Sequence, residues 1–271
     1  MLGAIIGDIV GSRFEWHNIK TKEFSFFHIG CFATDDSIMT LAVAKAILAC
    51  NGDYSKLENL AVICMQELGR QYPHAGYGGR FKRWLKEPFP EPYNSLGNGA
   101  AMRVSPVAYA AENMDQLKAL SRAVTEVTHN HQSGIKGAEA TSVAIFMALH
   151  GSSKQDIKKV IDQEYYNLDF YQLDEIRDEY SFDVTCDGTV PYAIEAFIEA
   201  TSFEDTIRNA ISIGGDSDTI AAIAGSIAEA YYGTPADLRD QAIGYLNKVQ
   251  VGILSRFEEK YGTVQGNGLS T

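Results

Sequence analysis

Cysteine is scarce in this sequence and never clustered. Cys31, Cys50, Cys64 and Cys186 stand far apart, with no C-x-x-C pair and no zinc-type spacing, which removes dithiol and zinc-finger chemistry from consideration. Free, buried thiols in a reducing compartment are expected instead. Positive charge is also in deficit: 23 Lys and Arg face 35 Asp and Glu, a formal net charge of −12. That balance argues against general affinity for nucleic-acid backbones. No basic leader precedes the apolar start MLGAIIGDIVGSRFEW, and Asp8 interrupts it well short of a signal-peptide core or a membrane span. A cytoplasmic protein without membrane association is expected. Strand patterns are nearly missing. FSFFHIGCF at 24–32 is the one candidate, and it reads equally well as a packed loop.

What the sequence does have is helical periodicity. Residues 36–50, 56–69, 115–127, 135–149, 154–164, 189–200, 204–213, 218–232 and 237–260 all carry 3.6-type apolar spacing. Ser153, Ser202 and the pair Thr234-Pro235 supply helix starts. These features predict an all-α fold in one domain over residues 1–261, followed by a disordered tail at 262–271. Between the helices, residues 71–103 form a long stretch rich in Gly, Pro and aromatics. A loop of that length inside a domain is ordinarily functional, and its aromatic content points to order.

Near the start, Gly3, Gly7 and Gly11 are spaced by four and share one helix face. Each glycine costs about 1 kcal/mol against alanine in a helix interior, so a close neighbour, helix or ligand, must compensate. Asp8 points away from that stripe.

Two acidic clusters open long apolar runs: TDDS at 34–37 and GGDSDT at 214–219. Either alone reads as helix capping, since acids and hydroxyls suit the positive end of a helix. Taken together they suggest more. Apolar helices of this kind are normally buried, so both acidic ends are able to converge on one interior cleft. Four carboxylates about 4 Å apart would repel by roughly 4 kcal/mol per pair at an effective dielectric of 20. They would require protons or cations, and an all-oxygen set suits Mg²⁺, Mn²⁺ or Ca²⁺. Glu15, just past the first helix, is a candidate third carboxylate.

At this point the motifs form a recognisable series. GAIIGDIVGSRFE (3–15), TDDS (34–37), GYGGRFKRWL (76–85), SLGNGAAMR (95–103), VTHNHQSGIKGAEA (127–140) and GGDSDTIAAIAGSIAEAYYG (214–233), in this order, resemble the ADP-ribosylglycohydrolases. That family includes dinitrogenase reductase-activating glycohydrolase and the ADP-ribosyl-acceptor hydrolases. The resemblance implies a compact all-α fold with a binuclear metal cleft holding two Mg²⁺ or Mn²⁺. It implies Thr34, Asp35, Asp36, Asp216, Asp218 and Thr219 as metal ligands, with Glu15, Asp35 and Asp216 carrying the chemistry. It also places Ser95, Gly97, Asn98, Gly99 and His129 around ADP-ribose, the glycine-flanked amides near the diphosphate. Ser37 stands where the family usually has threonine, outside the ligand triplet. His131 and an adenine-covering aromatic such as Tyr77 are further candidates.

The implied activity is metal-dependent hydrolysis at the ribose anomeric carbon, on an ADP-ribosylated protein or small molecule, by a monomer. The motifs do not separate arginine, serine, small guanidinium, O-acetyl-ADP-ribose or nucleic-acid-base acceptors. A non-catalytic ADP-ribose-binding relative is the alternative from another class. Two all-α rivals fit less well. An isoprenoid synthase requires DDxxD, where DDSIM has Met39, and an HD phosphohydrolase requires a His-Asp dipeptide, which is absent.

Overall fold

In the computed structural model, which describes residues 1–170 and 172–262, the glycine-spaced segment is α1 (Leu2–Gly11), with every residue buried. The apolar run after TDDS is α2 (Asp35–Cys50), followed by α3 (Leu57–Gln71). Within the long 71–103 stretch lies a short helix, α4 (Gly79–Trp84), and beyond it α5 (Ser105–Ala110) and α6 (Met114–Thr125). Next come α7 (Gln132–Leu149), α8 (Lys154–Glu164), α9 (Leu173–Ile176) and α10 (Cys186–Glu199). The last four are α11 (Phe203–Ser212), α12 (Ser217–Tyr232), α13 (Ala236–Ile243) and α14 (Lys248–Tyr261). Among the described residues there is no strand; a single antiparallel bridge joins Gly97 to Thr185. FSFFHIGCF is thus a packed loop. It contributes Phe26 and Cys31 to the core. All four cysteines are free and buried, and no helix is long and apolar enough to cross a membrane among the described residues.

Caps explain several boundaries. Ser153 accepts from the Asp156 amide and Ser202 from the Asp205 amide, both at 3.1 Å, as their sequence contexts predict. Thr234 does not cap: α13 follows Pro235, with no side-chain cap bond, and the Thr234 hydroxyl is buried without a partner. The single helix expected over 237–260 is two. Gly244 ends α13, and Asn247 restarts the chain as α14 through a capping box with Gln250. The expected tail at 262–271 lies outside the described residues beyond Gly262.

At the centre is α12, buried from Ser217 to Ala228 and packed by α1, α7, α10 and α11. Its closest neighbour is α1. A Cβ added at Gly7 would stand 2.0 Å from the Ala221 carbonyl oxygen, so the stripe exists to let two backbones touch. Full burial of Ile5, Ile6, Ile9 and Val10 contributes roughly 1.5–3 kcal/mol each and offsets the helix-propensity cost of the glycines. On its other side, α1 meets α2, which packs in turn on α3 and α14. The first turns of α2 and α12 are thereby brought to one place.

Candidate active site

The two acidic clusters do meet. Thr219 Oγ1 donates to Asp36 Oδ2 at 3.2 Å across the gap between α12 and α2. Carboxylate oxygens of Asp8, Asp36 and Asp218 lie within 4.8 Å of one another, and so do those of Glu15, Asp216 and Asp218. Asp218 belongs to both groups. Asp35, expected at the centre of the set, belongs to neither, although it lines the same cleft. The cleft has a volume of about 410 Å³, and every site residue anticipated from sequence lines it except Thr34 and the further candidates Tyr77 and His131.

Thr34 faces inward instead. Its hydroxyl donates to Asp8 Oδ1 at 2.6 Å and accepts from the Asp36 amide at 3.3 Å. Asp8 was not anticipated as a site residue. Its carboxylate also accepts from the Thr34 amide at 2.9 Å, the Ser37 amide at 3.0 Å and the Ser37 hydroxyl. One fully buried side chain of α1 thus holds the start of α2 in register. The signal was present in the sequence: a lone carboxylate inside an apolar helix must find partners when that helix is buried.

Electrostatics at the cleft floor are one-sided. Among the described residues, no Lys, Arg or His nitrogen pairs within 4.0 Å with Asp8, Glu15, Asp35, Asp36, Asp216 or Asp218. Burial, then the charge on Asp8, pushes Asp35 up to about 8. Burial followed by Asp216 raises Glu15 to about 7, and burial raises Asp8 to about 6 against its four hydrogen bonds. Asp36 and Asp218 are driven well above the usual carboxylate range by burial and by one another's neighbours. Asp36 Oδ1 is buried and has no hydrogen-bond partner. An orphaned anionic oxygen among crowded, unpaired carboxylates fits a hard divalent cation by donor type and by charge.

Loops hold the rest of the floor. The Asn18 amide donates to the Phe14 and Gly215 carbonyls at 2.7 and 2.8 Å and accepts from the Gly215 amide at 2.8 Å. It therefore ties the Glu15 loop to the turn before α12. Lys20 donates to the carbonyls of Tyr180 and Ile213 at 2.7 and 2.6 Å, fastening a third segment alongside. The neighbouring Trp16 side chain partly offsets the rise in the Glu15 pKa. Trp16 itself stacks on Phe182 at 5.2 Å between centroids, with 72% of its surface exposed at the mouth.

The opposite wall carries the glycine-flanked motif, with one difference from expectation. The Asn98 amide donates to the Val184 carbonyl at 2.8 Å and the Gly97 amide to Ser95 Oγ at 3.2 Å, so neither points freely into the cleft. The Asn98 side chain instead donates to Asp216 Oδ2 at 2.6 Å and to Thr189 Oγ1 at 3.1 Å, fixing the carboxylate that opens α12. His129 is buried, with its Nε2 edge toward Gly97 and Gly99. Arg80 supplies an exposed cation, lying 4.8 Å from the centre of the Tyr93 ring. Tyr77 is only 4% exposed and packs against Phe81 rather than facing the cleft; Trp16, Phe81, Tyr93 and Phe182 are the aromatics that line it. His131 caps α7 by accepting from the Ser133 amide at 3.1 Å and does not line the cleft.

Comparison with known proteins agrees with this arrangement. The ADP-ribosylglycohydrolase family profile matches residues 1–260. ADP-ribosylhydrolase ARH3 of Homo sapiens is 26% identical, with 90% of this chain and 88% of that protein covered. ADP-ribosylarginine hydrolase Tri1 of Pseudomonas putida is 24% identical, over 86% of this chain and 69% of the relative. A solved ADP-ribosylglycohydrolase-related protein complex superposes with a TM-score of 0.70 at 23% identity, covering 97% of this chain and 96% of that one. That likeness establishes the all-α fold.

Proposed function

The chain belongs to the ADP-ribosylglycohydrolase family, and from that premise we propose that it is a metal-dependent hydrolase releasing ADP-ribose from a modified side chain or small acceptor. The observation that carries the proposal is the pair of carboxylate groups sharing Asp218, with Asp36 Oδ1 buried and unpartnered beside them. Two Mg²⁺ or Mn²⁺ suit this donor set. Asp36, Asp216 and Asp218 would hold them, with Asp35 and Thr219 as flanking donors; Thr34, turned to Asp8, is not among them. Bound there, such ions supply charge neutralisation and Lewis acidity toward water and ribose hydroxyls.

The remaining chemistry belongs to the chain itself. Glu15 reaches the cleft from a loop and is half-buried, so it is the carboxylate with room to take a proton from an incoming water. Its negative charge also favours the oxocarbenium-like state of glycosidic cleavage. The Asn18 clamp orients its loop. Asn98 keeps Asp216 turned toward the floor. On the far wall Ser95, His129 and Arg80 offer donors to an oxygen-rich anion, which suits a diphosphate. The free thiols are consistent with the cytoplasm as the working compartment.

The test is release of ADP-ribose from arginine-linked and serine-linked peptides, with Mg²⁺, with Mn²⁺ and with chelator. Divalent-dependent release from at least one acceptor is expected. Tight ADP-ribose binding without release from either, under any of the three conditions, overturns the hydrolase reading in favour of a binding protein.

A further inference from the structure

Arg103 is a cation almost wholly removed from water, 1% exposed, with no carboxylate partner among the described residues. Its Nη2 donates to Thr128 Oγ1 at 2.6 Å and, at 3.4 Å, to the Val124 carbonyl. The Thr128 hydroxyl is itself buried, and its second partner is His129 Nδ1 at 2.7 Å. Three side chains therefore form a line from the Arg103 guanidinium, which itself borders the cleft, through Thr128 to the His129 imidazole.

Hydrogen counting fixes the direction of that line. A guanidinium only donates, and a hydroxyl has one hydrogen and two lone pairs. Arg103 therefore occupies one lone pair of Thr128. With a proton on Nδ1, the imidazole would occupy the other, and the Thr128 hydrogen would be left unbonded in a buried place, an arrangement that folded proteins avoid. With Nδ1 bare, the Thr128 hydrogen goes to it and the hydroxyl is fully bonded. Burial and the charges of Arg103 and Arg80 hold His129 well below its usual pKa, so the ring is neutral. Its one hydrogen then sits on Nε2. That edge borders the glycine-flanked turn: a Cβ added at Gly99 would lie 3.4 Å from Nε2, and one at Gly97 3.6 Å.

We propose that Arg103 and Thr128 are positioning residues that lock His129 in its Nε2–H tautomer, so that it presents one neutral hydrogen-bond donor to the cleft beside residues 97–99. Neither residue has to touch the ligand. The guanidinium acts by filling one lone pair of Thr128 and occupying the Val124 carbonyl, which leaves Nδ1 as the acceptor for the hydroxyl hydrogen. A neutral donor binds a phosphate or ribose oxygen equally well across the physiological pH range, which an imidazolium does not. The identity of that ligand rests on the ADP-ribose reading; the tautomer does not.

Nitrogen-15 NMR of histidine-labelled protein tests the lock, with the His129 signals assigned by their loss in His129→Gln. In the wild type, Nδ1 is expected to resonate as an unprotonated acceptor and Nε2 as a protonated nitrogen, unchanged from pH 6 to 8. Thr128→Val is expected to give mixed tautomers and to weaken ADP-ribose binding, measured calorimetrically with Mg²⁺, by about tenfold, the worth of one neutral hydrogen bond. Thr128→Ser restores both. Arg103→Met is expected to mix the tautomers with the hydroxyl still present, because the Thr128 hydrogen is then free to turn to the vacated Val124 carbonyl and leave its lone pairs to Nδ1–H. A wild type protonated mainly on Nδ1 overturns the proposal, as does a folded Thr128→Val with an unchanged nitrogen pattern. If Thr128→Val does not fold, the wild-type and Thr128→Ser spectra decide by the same criterion. Loss of ADP-ribose binding in the wild type, with the nitrogens as expected, sinks the functional reading and leaves the lock standing.

Discussion

The helix that begins at Asp35 and the helix that begins at Ser217 both open with two aspartates and a hydroxyl, yet they are built on different terms. At the first, Thr34 caps the Asp36 amide and Asp8 satisfies the amides of Thr34 and Ser37. The start of α2 is locally complete. At the second, Asp216 makes no side-chain cap bond. Two glycines at φ 73° precede it, a left-handed conformation that only glycine adopts without strain, and Asn18 clamps them from another loop. The Asp216 carboxylate, freed from capping, is turned to the cleft floor and held by Asn98. One helix start is organised for stability and lends its acids to the cleft. The other gives up its own capping to aim them there.

That contrast sets the order of expected effects. The largest belongs to Asp218, shared by both carboxylate groups. Asp218→Ala is expected to lower the ADP-ribose release rate by about three orders of magnitude, the equivalent of several kcal/mol of ion-derived stabilisation. In chelator the same variant is expected to melt above the wild type, because a buried like charge is gone. Wild-type release in this variant breaks the functional half of the comparison. Next comes Asp8→Ala, which removes four buried hydrogen bonds at the start of α2. A loss of about 3 kcal/mol or more in urea unfolding is expected, and a stability equal to that of Asp218→Ala would erase the distinction.

The pH dependence of the chelated protein comes third. In the fold, Asp35 sits at about 8, Glu15 at about 7 and Asp8 at about 6, against 3.8 to 4.5 for the free groups. Between those limits the folded protein keeps protons that the unfolded chain has released. Stability is therefore greatest near pH 4 and falls as pH rises toward 8. Urea midpoints across that range check it, and saturating Mg²⁺ is expected to flatten the slope. A smaller effect is expected for Thr34→Ala, which removes the cap of α2 and a hydrogen bond to Asp8 and costs about 1–2 kcal/mol. The smallest is Ser217→Ala at α12, which deletes a 3.3 Å contact to the Gly215 carbonyl and a 3.5 Å contact from Asn18 and is expected to cost less than Thr34→Ala in the same urea titration.

Much of this was legible in the residues themselves. Periodicity located the long helices because their apolar faces are long enough to repeat, and TDDS and GGDSDT were paired correctly because both precede buried runs. What the pattern could not convey was reach. α4 and α5 span six residues each, too few for a repeat to emerge. The break at Gly244 is hidden because α13 and α14 keep compatible spacing on either side of it. Tyr77 looked available and is buried, since nothing in its neighbours announces that it packs on Phe81. Asp8 shows the same gap from the other side. Its isolation among apolar residues was visible, but its partners lie 26 and 29 residues away, and spacing along one helix says nothing about them.

The backbone contact between α1 and α12 has a consequence in time as well as in space. α1 is apolar on every side, and the surface it needs is about 200 residues further along the chain. At translation rates of about 5–20 residues per second, that surface emerges roughly 10–40 s later. Until then α1 has no partner close enough to bury its glycine face, and Asp8 has a helix start to organise but no settled platform from which to do it. The cleft floor therefore comes together late in synthesis, with only α13 and α14 still to dock on α1 and α2. A ribosome-bound chain stopped before Ser217 is expected to carry an exposed, aggregation-prone first helix and to gain no protection from divalent ions. Completion of α12 is the step that buries α1 and creates the acidic floor together.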